Sequence, residues 1–202
     1  MVASVIAQRI GRRPALGLIG AAGLVAASRP ALADGIDGPA IAALRLLLDA
    51  NILPFWRHVC DRPAQEGYPV PVDDTGQPLG STRPVVTQAR AAFFFAHLAR
   101  SRFGRPRDLA IARHGARYLR QRLWDPVHGG FYWEIDSATQ QPTKPDKYIN
   151  AHAHGLLAVA EYARTTRQPA DLAFARLVFR TIMDRFRDPA TGDYREFLHQ
   201  DW

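Results

Sequence analysis

Four polar residues in an otherwise apolar segment have the types and spacing to do chemistry. They are separated by steps of 3, 4 and 7 residues along the chain: Lys147, Asn150, His154 and Glu161. Such steps place side chains on one face of an α-helix. His154 can act as a proton carrier because the pKa of an imidazole lies near neutral pH; the alternative is a histidine hydrogen-bonded in the core. Residues two apart on a helix diverge by about 200°, so His152 points away from His154 and the two are not expected to share a metal ion.

A single arginine interrupts the apolar run 89–96, and two aromatic residues occupy a turn-rich segment farther along the chain. The Arg90 guanidinium stays charged and offers several donors to the oxygen atoms of a ligand, whereas the alternative is an arginine solvated or salt-bridged on a helix surface. Tyr132 and Trp133 offer ring faces that can stack on a ligand, and the alternative is packing within their own loop. The sequence shows no metal-ligand spacing, no glycine-rich phosphate loop and no nucleophile elbow, so no metal site is predicted.

A turn signature that appears three times sets the frame for these residues. It begins with Asp and ends six or seven residues later with Tyr, in the segments 61–68, 125–132 and 188–194. The first aspartates are 64 and 63 residues apart. A fixed period of this kind is typical of a repeat architecture, in which no single unit can bury its own apolar face.

Helical periodicity between the signatures predicts pairs of helices joined by short hairpins. The predicted helices cover 39–59, 84–103, 106–124, 147–166 and 170–187, and the predicted hairpins cover 61–80, 125–143 and 188–198. The two helices that follow a hairpin are apolar on most sides, which favours an inner layer, and the arginine-rich helices that precede a hairpin favour an outer layer. The sequence therefore predicts an all-α fold, a partial α/α toroid built of helical pairs with short β-hairpin loops on one face. Those loops and the ends of the inner helices would form the site.

The first 33 residues differ from the rest and are predicted to be a signal peptide. Three arginines precede the short apolar run 15–27, and Ala31-Leu-Ala33 fits a small-residue cleavage site. The apolar run is too short to span a bilayer, and the alternatives are a membrane anchor or a start codon placed too early. The adjacent pair Arg12-Arg13 suggests the twin-arginine route. We therefore expect a leader, 1–33, and an exported domain, 34–202, that is periplasmic or extracellular and has no stable membrane span.

The charge of the chain comes largely from the leader. Residues 1–33 contain four arginines and no acidic residue, so 34–202 has 22 basic and 19 acidic residues, a net charge of +3. No run of Lys and Arg remains in 34–202, and nucleic-acid binding is therefore not expected. Cys60 is the only cysteine, so no internal disulfide can form, and its position after an apolar helix predicts a buried structural thiol.

Five parts of the sequence together resemble one enzyme family. They are Ile52-Leu-Pro-Phe-Trp56, Thr87-Gln-Ala-Arg90, the segment 123–136 (LWDPVHGGFYWEID), Lys147 and Ala160-Glu-Tyr162. The chain is similar in these motifs to the N-acylglucosamine 2-epimerase and cellobiose 2-epimerase family, from about residue 36 to residue 202. Any one of these motifs alone would be weak, but together they are fairly specific.

The resemblance implies an (α/α)6 barrel that interconverts sugars by moving a proton at the carbon next to the carbonyl, without a cofactor. It implies that Arg90 is a ligand for substrate oxygens. The substrate-binding roles expected of Tyr132, Trp133, Asn150 and His154 come from their types and positions instead. The family's acid/base histidines lie on later inner helices, so by this resemblance they would fall beyond Trp202. Since 34–202 holds fewer than three of six units, the sequence resembles the N-terminal half of such an enzyme.

Three functional hypotheses follow. The leading one is a sugar 2-epimerase or aldose–ketose isomerase family protein that acts on a mono- or disaccharide. The second is a non-catalytic carbohydrate-binding or interaction fragment. The third is a related α/α-barrel hydrolase, which needs paired carboxylates, whereas Glu161 is the only candidate on the predicted inner helices. An open toroid exposes apolar helix faces, so we also expect the chain to associate as a homodimer or to be unstable.

Overall fold

The computed structural model describes residues 38–202, so the predicted signal peptide lies outside the described residues. Its helices are α1 (Gly38–Leu47), α2 (Leu53–Cys60), α3 (Val85–Leu98), α4 (Pro106–Tyr118), α5 (Ile149–Thr166) and α6 (Pro169–Thr181). π-Helical turns join α1 to α2 and extend α4 and α6, at Leu48–Ile52, Leu119–Leu123 and Ile182–Phe186. The five predicted helices are therefore confirmed, with α1 and α2 together forming the first.

Short strands tie the hairpins to the helices. They are β1 (Thr82–Pro84), β2 (Glu134–Asp136), β3 (Pro142–Lys144), β4 (Lys147–Tyr148) and β5 (Phe197–Leu198). β1, β2 and β3 form an antiparallel sheet in that order, and β4 pairs with β5. In both sheets a strand that leads into a helix pairs with a strand of the next hairpin, as in Pro84 with Glu134 and Tyr148 with Phe197. Each of these hairpins is thereby fixed to the N-terminus of the preceding inner helix.

Two predicted helix boundaries are wrong, and the structure gives a physical reason for each. α3 ends at Leu98 rather than at residue 103, because the chain turns there and the Ser101 hydroxyl donates to the Leu98 carbonyl. α5 begins at Ile149 rather than at Lys147, because Lys147 and Tyr148 are extended and paired with β5. β2 begins at Glu134, so the aromatic residues just before it precede the strand.

The predicted inner helices lie at the centre of residues 44–202, which form one compact unit. α3 packs against α5, while α4 packs on α3 and α6 packs on α5. Most apolar side chains of α3 and α5 are therefore buried or half-buried, whereas α4 and α6 carry exposed arginines on their outer sides. This arrangement agrees with the predicted division into inner and outer helices.

The second and third signatures fold in the same way. Each is closed by a single β-bridge, Trp124 to Phe131 and Arg187 to Tyr194. In each turn a glycine has a positive φ, 75° at Gly129 and 79° at Gly192, a conformation that glycine adopts without steric cost. The sequence period therefore corresponds to a repeated turn in the structure.

Two glycines on helices allow aromatic rings of the turns to enter the core. Tyr68 and Phe131 are fully buried. A Cβ atom added at Gly115 would collide with the Tyr68 ring, and one added at Gly155 would collide with the Phe131 ring. Glycine weakens a helix by about 1 kcal/mol relative to alanine, so close ring packing explains its presence at both positions.

The continuous helix Gly38–Cys60 has two different parts. Its C-terminal part is a core helix, with Leu53 and Cys60 buried, and burial raises the pKa of the Cys60 thiol to about 12, as expected of a structural cysteine. Its N-terminal part exposes large apolar side chains, including Leu44 and Leu46 at 65% and 68%. By length and composition alone this helix could cross a membrane, since an 18-residue window of it has a mean hydropathy of 1.3. The expected absence of a membrane span after the leader therefore stays a prediction.

Candidate functional site

A cleft of about 430 Å³ brings together two motifs that are far apart in the sequence. The first motif, 52–56, lies at the start of α2, and the second, 87–90, lies on α3. The lining residues are Ile52, Trp56, Val70, Thr87, Arg90, Ala91, Phe94 and Phe95. The cleft thus combines aromatic walls with one cationic side chain, which is the composition of a site for a polar ligand with apolar faces.

Arg90 is the charged group of this cleft. Its side chain is exposed, and among residues 38–202 no hydrogen bond or ion pair engages its guanidinium. The structure thus shows no salt bridge at Arg90, whereas the other alternative, an arginine solvated on a helix surface, fits its exposure. A guanidinium that lines a partly apolar cleft can donate to several ligand oxygens, and it can stabilise negative charge that develops on one of them.

His154 occupies the position on α5 that Arg90 occupies on α3. The two residues are 64 apart, the same step that separates the first two turn signatures, and their helices pack against each other. His154 is half-buried, and Asn150, one helical turn earlier, is exposed. Both side chains remain accessible to a ligand.

Lys147 and Glu161, the other two polar residues predicted to share a helix face, have structural partners. Lys147 is fully buried and its Nζ lies 2.9 Å from Oδ2 of Asp125. Glu161 is 8% exposed and accepts from Arg100 at 2.9 Å, with His97 at 3.2 Å from the same oxygen. Asn150 and His154 are therefore accessible to a ligand, whereas Lys147 and Glu161 are held in ion pairs.

His152 is held in the core by two backbone groups. Its Nδ1 lies 2.8 Å from the Tyr148 carbonyl oxygen, and its Nε2 lies 2.8 Å from the Phe131 nitrogen. Since the carbonyl can only accept and the N–H can only donate, the imidazole is neutral and carries its proton on Nδ1. Burial lowers the pKa of His152 to about 4, in agreement with this assignment. His152 thus positions the second hairpin and is not available for proton transfer.

Tyr132 and Trp133 lie at the same hairpin but in different surroundings. Tyr132 is 8% exposed, and its ring lies below the Lys147 ammonium at 4.6 Å. Burial, and then the neighbouring Asp125 carboxylate, raise the pKa of Tyr132 to about 12. Trp133 is half-buried beside Tyr148, with ring centroids 4.5 Å apart. Of the two predicted stacking residues, Trp133 has the larger accessible surface.

Asp125, the first residue of the second signature, anchors this hairpin. Its buried carboxylate accepts from the Lys147 ammonium, from two backbone N–H groups of its own turn and from the Gln200 amide. Burial alone would raise the pKa of Asp125, but these hydrogen bonds, that of Lys147 foremost, hold it well below its ordinary value. The hairpin that carries Tyr132 and Trp133 is therefore fixed by a charged pair inside the core.

The family model of N-acylglucosamine 2-epimerases (GlcNAc 2-epimerase) matches residues 67–202, which is more than half of the chain. The chain belongs to this family. The match includes Arg90, His154 and the Asp125–Lys147 pair, so these residues lie within the family domain. The resemblance seen in the sequence is thereby confirmed.

Individual relatives agree with the family assignment. The chain is 26% identical over 158 residues to the cellobiose 2-epimerase of Bacteroides fragilis, and 24% identical over 155 residues to that of Eubacterium cellulosolvens. These alignments cover 77% of this chain in both cases but 39% and 37% of the relatives. The chain thus spans about two fifths of the length of the curated relatives it matches.

Solved structures show the same relation. The cellobiose 2-epimerase of Spirochaeta thermophila superposes with a TM-score of 0.72 at 28% identity, over 80% of this chain and 39% of that chain. The cellobiose 2-epimerase of Bacillus thermoamylovorans gives a TM-score of 0.73 at 26% identity, over 80% of this chain and 41% of that chain. The fold of residues 38–202 is therefore the helical fold of these epimerases, over the shared part.

Sequence reasoning missed two features of this region. It predicted neither the pairing of Asp125 with Lys147 nor the structural role of His152. The sequence period contains a signal for the role of His152. The residue 64 positions earlier is Gln88, which is also fully buried. Gln88 accepts from the Tyr68 N–H at 2.7 Å and donates to the Tyr68 carbonyl at 2.8 Å, so it holds the first hairpin as His152 holds the second.

Proposed function

We propose that this chain is part of a sugar 2-epimerase or aldose–ketose isomerase that acts on a mono- or disaccharide. The reaction moves a proton at the carbon next to the carbonyl, through an enediolate whose negative charge requires stabilisation. The observation that carries the proposal is the joining of two family motifs in one cleft around the unengaged guanidinium of Arg90. Family membership and the names of the relatives support the substrate class.

The residues of the cleft have distinct roles in this proposal. Arg90 donates to a sugar oxygen and stabilises the enediolate as charge develops. Trp56 and Phe94 provide the ring faces on which the apolar side of a sugar packs. Asn150 and His154 lie on the neighbouring inner helix, α5. His154 is the candidate for proton transfer, and Asn150 is a candidate hydrogen-bond partner of the sugar.

Exchange of the hydrogen at carbon 2 tests the proposal directly. The full-length protein is incubated in D₂O with cellobiose, mannose or N-acetylglucosamine, and NMR follows both the carbon-2 hydrogen and the epimer. We expect exchange that Arg90→Ala abolishes and Arg90→Lys reduces. Saturable sugar binding with no exchange would favour the second candidate, a carbohydrate-binding protein without turnover. That candidate is favoured by the aromatic walls and the accessible guanidinium of the cleft, which suffice for binding. If the protein shows no sugar binding and no exchange, both candidate functions are contradicted.

We also propose the domain arrangement and setting that the sequence predicts. Residues 34–202 would be the N-terminal half of an (α/α)6 barrel, exported by a leader at 1–33. The supporting observation is that α1 and α6, at the two ends of the described chain, both expose large apolar side chains. Examples are Leu44 and Leu46 on α1 and Leu177 and Phe179 on α6. Such faces favour association, and a homodimer is the proposed state of this chain.

A further inference from the structure

A polar cleft of about 240 Å³ lies between the loop before Tyr68 and the C-terminal half of α4. We call it the α4 cleft. Its lining residues are Glu66, His114, Arg117, Tyr118, Gln121 and Arg122. It shares no residue with the cleft around Arg90, so a ligand bound there would be a second ligand.

Two residues that line the α4 cleft each have one buried polar atom without a hydrogen-bond partner among residues 38–202. The two atoms are the hydroxyl oxygen of Tyr118 and Nδ1 of His114. Tyr118 is 2% exposed, and its ring edge lies against Gly67. A buried polar atom without a partner is unfavourable, and most such atoms in folded proteins are satisfied by protein, water or ligand. These two atoms therefore indicate that the cleft takes a polar molecule.

The chemistry of these two atoms restricts what the molecule can be. Nε2 of His114 lies 3.3 Å from the Gly67 carbonyl oxygen, which can only accept, so Nε2 carries the proton and Nδ1 is an acceptor. Burial lowers the pKa of His114, which keeps the ring neutral. A ligand must then donate to His114 and can accept from Tyr118. A hydroxyl group does both, whereas a phosphate dianion or carboxylate cannot donate, and a metal cation would lie beside two guanidinium groups.

We propose that the α4 cleft is a second binding site for a neutral polyhydroxy compound, a single sugar unit or a polyol. The rim provides further donors on Arg117 and Arg122 and an acceptor on Glu66. Arg122 and Glu66 lie 3.5 Å apart and are about half exposed, and such surface pairs separate at little cost. The volume greatly exceeds the roughly 30 Å³ of one water molecule, so the cleft has room for such a ligand. The proposal holds whether or not the chain catalyses epimerisation.

Backbone-amide NMR of the full-length ¹⁵N-labelled protein tests this site. Glucose and glycerol are titrated into wild-type protein and into Arg90→Ala, which removes the charged group of the other cleft. We expect saturable shifts at Gly67, His114 and their neighbours that persist in Arg90→Ala. Tyr118→Phe removes only the hydroxyl and should weaken binding about five-fold, the effect of one typical hydrogen bond. Tyr194→Phe removes an exposed hydroxyl from another hairpin and should change nothing.

Each remaining outcome would overturn the proposal. Absence of saturable shifts at high sugar concentration would mean that the cleft holds water alone. Stronger binding of inorganic phosphate at the same amides would assign an anion instead of a hydroxyl compound. Shifts that vanish in Arg90→Ala would place the ligand in the other cleft. If Tyr118→Phe does not fold, Arg117→Ala replaces it, because this exposed side chain contributes a rim donor and its removal must also weaken binding.

Discussion

Substitution of His152 by glutamine and by leucine separates its hydrogen bonds from its titration. The neutral imidazole accepts from the Phe131 N–H and donates to the Tyr148 carbonyl, and it is fully buried. Glutamine can accept from the Phe131 N–H, as Gln88 accepts from the Tyr68 N–H in the first hairpin. Leucine can make neither, and the unpaired Phe131 N–H should then destabilise the protein by about 1–3 kcal/mol at neutral pH.

The pH dependence follows from the pKa of His152, which burial lowers from 6.5 to about 4. The folded-state pKa is below the unfolded one, so the unfolded state binds a proton first as the pH falls. The stability associated with the neutral ring is complete above about pH 6.5 and is lost between about pH 6.5 and about pH 4. The shift corresponds to at most about 3 kcal/mol, at 1.36 kcal/mol for each pH unit.

Urea unfolding of the full-length protein at about pH 7 and about pH 4.5 measures this difference. We expect His152→Gln to lose markedly less stability than wild type on acidification, and His152→Leu to be less stable at both pH values. His154→Gln is the matched control, because it makes the same change at a half-exposed position on the same helix, and it should follow the wild-type curve. Equal pH dependence of wild type and His152→Gln would refute the assignment of a buried neutral histidine.

Four other outcomes are expected. Arg90→Ala should change the free energy of unfolding by less than about 0.5 kcal/mol while weakening sugar binding at least ten-fold in calorimetry, and a large loss of stability would contradict the exposed position of Arg90. Lys147→Met should destabilise by about 3–5 kcal/mol in chemical denaturation, because it leaves the Asp125 carboxylate buried without its cation, and adding Asp125→Asn should restore part of this. Gly155→Ala should cost about 1–3 kcal/mol in thermal melts despite the gain in helix propensity, because its Cβ meets the Phe131 ring. Light scattering should show a dimer, and a cooperative, monodisperse monomer would contradict the proposed association.

Local sequence patterns predicted much of the fold. Helical periodicity located the five helical segments, since each buries one apolar face whatever its neighbours are. The helix ends were less accurate because tertiary contacts set them. α5 starts two residues late since Lys147 and Tyr148 pair with a strand fifty residues farther on, and no local pattern signals that pairing.

The candidate site was predictable to the extent that its residues contrast with their surroundings. Arg90 stands out as a charge within an apolar run, and the structure places it in a cleft where it forms no ion pair with the described residues. Lys147 and Glu161 stand out equally, but they are paired with residues of other elements, Asp125 and Arg100. Sequence spacing shows which side chains share a helix face, whereas only tertiary structure shows which of them are already neutralised.

The sequence repeat explains why the inner helices carry both residues that hold a hairpin and residues that are accessible to a ligand. A step of 64 takes Gln88 to His152 and Arg90 to His154. At the first pair the hairpin backbone requires an acceptor in both units, so two different side chains perform one structural task. At the second pair, Arg90 and His154, no hydrogen bond joins either side chain to the backbone of residues 38–202, and the residues are free to differ in chemistry. In the proposed function, one unit would supply a permanent positive charge that stabilises an enediolate, and the next would supply an imidazole that moves its proton.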